Sequence, residues 1–132
     1  MSGSTDLDYL LRAADPVLDP EEYVFVSANA GYGDHPEWQP LGTFMETEGM
    51  TFVVRRSVAD TQGLDYEEVF RRITLQVHSS LSAVGLTAAF SAALAEHDVS
   101  ANVIAAFYHD HIFVPAGDAE RAMMALSNLA GQ

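Results

Sequence analysis

The sequence contains no cysteine and no lysine. Without cysteine, disulfides, thiolate-ligated zinc and thiol nucleophiles are excluded. Without lysine, every basic side chain is one of six arginines set against 19 carboxylates, a net charge of -13. Nucleic-acid binding needs a cationic surface to neutralise phosphates, so neither DNA nor RNA is an expected partner. An anionic membrane surface would repel the chain, and no apolar run is long enough to span a bilayer. The segment Met1 to Asp8 is polar and acidic, whereas a secretory signal starts positive and continues apolar; a cytoplasmic location is the expectation. Motifs for common chemistry are also missing: there is no G-x-S-x-G elbow, no phosphate-binding Walker loop and no H-E-x-x-H pair.

What is present is apolar and unevenly charged. Hydrophobic residues make up 48% of the 132 residues, enough for one domain or two very small ones. Residues 1–68 carry 14 carboxylates and three arginines, whereas residues 69–132 carry five carboxylates and three arginines. The asymmetry divides the chain into two subdomains, 1–68 and 69–132.

In the first half, Leu7, Leu10, Leu11 and Ala14 recur at helical spacing before Asp15-Pro16 stops the pattern. Tyr23 to Ala28 is rich in valine and aromatics and predicts a strand. The following loop, "NAGYGDHPEWQP", holds the only tryptophan. "GTFMETEGMTFVVRR" predicts two strands joined near Glu48-Gly49, and "SVADTQG" a short helix or loop ending at Gly63.

The second half is more regular. In "VFRRITLQVHS", Ile73, Leu75 and Val77 alternate with Arg72, Thr74, Gln76 and His78, the signature of a half-buried strand. From Leu86, residues Leu86, Ala89, Phe90, Ala93, Leu94 and His97 form one helical stripe that Asp98 closes. "VSANVIAAF" and "HIFVP" predict two more strands, with His109, Asp110 and His111 at the reversal between them. Asp118 then opens a last helix with Ala119, Ala122, Met123, Leu126 and Leu129 turned inward. The order β-α-β-β-α predicts an α+β, ferredoxin-like fold, an antiparallel sheet with helices on one face. One strand is missing from that plan. It must come from the first half or from a partner subunit.

The stretch "ITLQVHSSLSAVGLTAAFSAALAEHDVSANVIAAFYHDHIFVP" resembles the ACT domain, a small regulatory module that binds amino acids. The strand, glycine turn, helix and asparagine-bearing strand of that pattern match Gly85, the helix from Leu86-Thr87, and Asn102. "PLGTFMETEGMTFVV" is similar to the companion segment of short bacterial proteins with two ACT-like units, themselves similar to amino-acid-sensing ACT pairs. The resemblance implies a regulatory, non-catalytic protein that needs no cofactor, forms a homo-oligomer, and binds an amino acid or related metabolite at an interface between units. The site residues it implies are Val84, Gly85, Leu86, Thr87 and Asn102, with the hydroxyls of Ser79 and Ser80 in the same loop. Val84 stands where the family pattern often has proline.

Each of these residues also has a structural reading. Gly85 permits a tight strand-to-helix turn, a serine caps the helix, and Asn102 bonds to a neighbouring segment. Glu46 and Glu48 either meet a cationic group of the ligand or form a solvated hairpin end. His109 and His111 share a strand face, so with His78 they are also metal-ligand candidates, although a hairpin tip is the expected role. Neither a metal site nor a catalytic set is assigned. The competing functional reading is a ligand-free module for homo-oligomerisation or partner docking.

Overall fold

The structure is a computed structural model that describes residues 12–76 and 85–129. Among the described residues the elements follow in the order β1 (Pro16–Ala28), β2 (Gly42–Glu46), β3 (Gly49–Arg55), α1 (Arg56–Gln62), β4 (Phe70–Leu75), α2 (Leu86–Glu96), β5 (Asn102–Ala105), β6 (Asp110–Pro115) and α3 (Ala119–Leu129). The chain divides into two compact units, one of residues 1–19 with 71–132, the other Pro20–Phe70. The boundary falls within β1, after Asp19, and at the first residue of β4, Phe70.

The discontinuous unit has strand order β1-β4-β6-β5 and chain order β4-α2-β5-β6-α3, a ferredoxin-like arrangement. The strand that the sequence left unfilled is the start of β1. Gln76 N–H donates to the Ala14 carbonyl at 2.7 Å, and Arg71 Nε donates to the Asp19 carbonyl at 3.0 Å. Strand β1 begins earlier than the expected Tyr23 because Pro16 and Pro20 hide it. Its pairing with β3 starts only at Tyr23, so on that side neither proline removes a ladder hydrogen bond.

The core of this unit lies on one face of its sheet. Ile73 and Leu75 of β4 and Ile112 and Val114 of β6 meet Leu86, Phe90 and Leu94 of α2 and Ala119, Ala122, Ala125 and Leu126 of α3. The alternation in β4 and the stripe in α2 therefore bury the expected side chains, each large one stabilising the unit by roughly 2 kcal/mol. Arg121 holds the end of α2: its Nε donates to the His97 carbonyl at 2.8 Å.

The continuous unit has strand order β2-β3-β1 and follows the ferredoxin-like element order, except that its first helix is reduced to a single 3-10 turn, Pro36–Trp38. His35 and Gln39 on either side adopt left-handed backbone angles, φ 58° and 46°, which force the chain back over the sheet. Trp38 is delivered into the core, 7% exposed, stacked on the His35 ring at 3.8 Å and edge-on to Phe52 at 4.9 Å. Val24, Val26, Met50, Phe52, Val54 and Ala59 complete that core. The loop with the only tryptophan is thus a plug that fills the space of a missing helix. Gly63 closes α1 with a φ of 67°.

Candidate functional site

Of the expected binding residues, Gly85, Leu86 and Thr87 lie at the entry to α2. Gly85 occupies the N-cap with a φ of 93°, an angle a side chain with Cβ rarely adopts. It offers no side-chain oxygen, and among the described residues no side-chain cap hydrogen bond is made at this helix start. Ala89 N–H donates to the Gly85 carbonyl at 2.9 Å. The N–H groups of the first turn before it lack intrahelical acceptors by construction, and together with the helix dipole they attract a carboxylate. Leu86 is anchored in the core, which fixes the helix start, while Thr87 is exposed. Val84, Ser79, Ser80, Ser82 and His78 lie outside the described residues.

Beside Thr87 lies a narrow crevice lined by Leu75, Thr87, Phe90, Val103, Asp110 and Ile112. Four of the six lining groups are aliphatic or aromatic, one is a hydroxyl and one a carboxylate. Ligand cavities that enclose a small molecule run to roughly 300 Å³ or more, whereas this crevice has no room even for a water molecule.

Asn102 sits apart from it. Strand residues alternate between faces, and Val103 lines the cleft; Asn102 therefore points to the opposite face of β5. It is exposed rather than buried, and its Nδ2 donates to the carbonyl of its cross-strand partner Phe113 at 3.2 Å. The bond goes to a neighbouring strand, one of the structural roles that an asparagine in a strand can fill.

The histidine pair is displaced from the hairpin tip. The reversal between β5 and β6 is Ala106 to His109, closed by Ala106 N–H donating to the His109 carbonyl at 3.1 Å, with Phe107 and Tyr108 exposed at its apex. Asp110 and His111 belong to β6, paired with Ala105 and Ile104. Two aromatics read as strand continuation and aspartate reads as a turn, which is why the sequence puts the reversal about two residues late. That shift is what hid Asp110: placed in β6, it shares the helix-facing side with Ile112 and borders the cleft. His111 turns to the other face, where Thr74 Oγ1 and His111 Nδ1 are hydrogen-bonded at 2.9 Å. Burial, the Arg72 guanidinium and His109 all lower its pKa below the ordinary imidazole value, with Asp110 opposing. It therefore acts as a neutral hydrogen-bonding group. Nδ1 of His109 is buried without a hydrogen-bond partner. Among the described residues no group of three histidine or carboxylate side chains is placed to hold a metal ion.

On that same face, Arg72 is bound twice to the Asp19 carboxylate, through Nη2 at 2.7 Å and Nε at 3.2 Å. In the other unit, Glu46 accepts from Thr51, while Glu48 lies exposed in the β2–β3 turn.

Comparison with known proteins adds the family. Residues 2–71 and 68–128 each match a family model described as the ACT domain. The chain belongs to the ACT-domain family. A Vibrio cholerae protein, described as of unknown function and a possible transport protein, is 46% identical over 98% of this chain and 99% of its own, with a TM-score of 0.89. The ligand-free regulatory subunit of aspartate kinase from Thermus thermophilus is similar in fold, at 14% identity over 89% of this chain and 97% of its own (TM-score 0.63). An Agrobacterium tumefaciens protein is similar to the same degree, at 16% identity over 83% of this chain and 81% of its own (TM-score 0.64). No curated protein matches the sequence. ACT domains are regulatory modules that typically bind amino acids and associate, and this chain carries two in tandem. No helix among the described residues is long and apolar enough to cross a membrane.

Proposed function

We propose that this tandem ACT protein is a cytoplasmic, non-catalytic regulator, divided at about residue 68 into its two ACT units, that binds an amino acid or close relative and acts through subunit association. The observation that carries the reading is the entry to α2. Gly85 opens a helix that has no side-chain cap among the described residues, directly beside a crevice rimmed by the Thr87 hydroxyl and the Asp110 carboxylate. A free amino acid has a matching set of groups. Its carboxylate would meet the N–H groups of Leu86 and Thr87, with Val84, Ser79 and Ser80 in the preceding loop. Its ammonium would meet Asp110, and its side chain would lie against the partly exposed Val103, since Leu75, Phe90 and Ile112 are enclosed in the core. Asn102, exposed on the opposite face, would serve a ligand only across an interface with a second copy. Because the crevice alone encloses no ligand, ligand affinity and association are coupled: a ligand enclosed between two copies favours the assembly by its differential affinity. Neither a metal nor a cofactor has a part in this mechanism.

The test is light scattering of the full chain with and without each of the twenty amino acids. The reading requires at least one that shifts the mass distribution, and a loss of that shift in Thr87→Val or Asp110→Asn. A distribution that no amino acid moves favours the second reading, a ligand-free association or docking module. The exposed hairpin apex of Phe107 and Tyr108 speaks for that module.

A further inference from the structure

The structure points to a second contact surface, distinct from the cleft beside Thr87: we propose that β2 is a docking edge for an extended, positively charged segment of another protein. Strand β2 ends the strand order of its unit, so every second N–H and C=O along it faces outward with no strand beyond it among the described residues. All five of its residues are exposed. Phe44 is 72% exposed and Met45 40%, and Leu41 just before the strand is 44% exposed. Edge strands are ordinarily protected by a central charge, a proline or a bulge. Here Pro40 and Glu46 flank the segment, and the run Leu41 to Met45 between them carries no charge. A strand added to this edge gains main-chain hydrogen bonds and lays alternate side chains beside Phe44 on one face and Met45 on the other.

Charge decides the occupant. The unit Pro20–Phe70 holds ten carboxylates and two arginines. Both arginines are engaged internally, Arg56 with Glu22 at 3.0 Å and Arg55 with Gln39. Glu46 and Glu48 stand at the end of the edge itself. A second copy added through β2 would bring two such negative units together. A segment that alternates apolar residues with Lys or Arg satisfies both the exposed aromatic and the field around it.

The experiment is a selection of surface-displayed random octapeptides against the full-length chain, run in parallel against Phe44→Lys. Phe44 contributes to neither core, so the variant keeps the fold, which circular dichroism checks. Enriched peptides are expected to alternate apolar with basic residues. They should bind the unaltered chain at least about tenfold more tightly than Phe44→Lys by fluorescence anisotropy. Raising salt from about 50 to about 300 mM should weaken them severalfold. Three results would overturn the proposal: no enrichment, enrichment of neutral or acidic peptides, or equal binding to the variant. A dimer that Phe44→Lys dissociates in light scattering would also overturn it, since the occupant would then be a second copy.

Discussion

Replacing Arg72 with methionine removes one ion pair and one source of field at the same time, and both effects can be read. Arg72 and Asp19 are 22% and 15% exposed and meet through two nitrogens, at 2.7 and 3.2 Å. A fully exposed pair contributes about 0–1 kcal/mol, whereas breaking a buried one costs about 3–5 kcal/mol because a charge is left stranded. The intermediate burial places the cost of Arg72→Met at about 2 kcal/mol, a fall in Tm of about 8 °C for a chain of this size. Asp19→Asn combined with Arg72→Met should recover part of the loss, since the group that faced Arg72 then carries no charge. The second effect concerns His111, whose pKa is lowered by burial and then by Arg72. A histidine that resists protonation when folded binds fewer protons than the unfolded chain, whose value is near 6.5. Its contribution is therefore complete above that pH and lost as pH falls toward the depressed folded value. Without Arg72 the folded value rises toward 6.5, and the acid-side loss between about pH 7.5 and 5.5 becomes shallower. Urea melts of both proteins across that range supply the data. A loss below about 0.5 kcal/mol, or an unchanged acid slope, would refute the view of this face as a semi-buried polar network.

Three further outcomes are expected. Leu94→Ala empties a fully buried position on α2 and should cost about 3 kcal/mol in urea unfolding, with an unchanged slope. Gly85→Ala forces a Cβ into a positive-φ position and should cost about 1–2 kcal/mol, while a glycine-to-alanine change at exposed, negative-φ Gly42 costs far less. Trp38 should emit at shorter wavelength in the folded chain than in urea, and Trp38→Ala should cost about 3 kcal/mol, because the ring replaces a helix in its core.

Much of the fold was legible where periodicity is strong. Ile73 and Leu75 alternate and are buried, and Leu86, Phe90 and Leu94 form a stripe that becomes the helix–sheet core. The ferredoxin-like plan followed from element order, and the gap in it marked where β1 had to go. What was hidden has physical causes. Pro16 and Pro20 look like breakers, yet they lie where β1 has no β3 partner to lose. The tryptophan loop is polar in composition, and two left-handed residues convert it into a core plug that no alternation pattern can reveal. At the candidate site, Gly85 and Thr87 came from the resemblance to the ACT pattern, whereas nothing pointed to Asp110, because its face depends on a hairpin reversal displaced by two residues. The outward direction of Asn102 likewise follows only from the register that pairs it with Phe113.

The central claim is that the entry to α2 binds an amino acid. Isothermal titration of the full chain with each of the twenty amino acids tests it most directly. The account predicts a saturable heat for one amino acid or a small related group, abolished in Asp110→Asn and weakened in Thr87→Val. The absence of both heat and thermal shift with all twenty would contradict it.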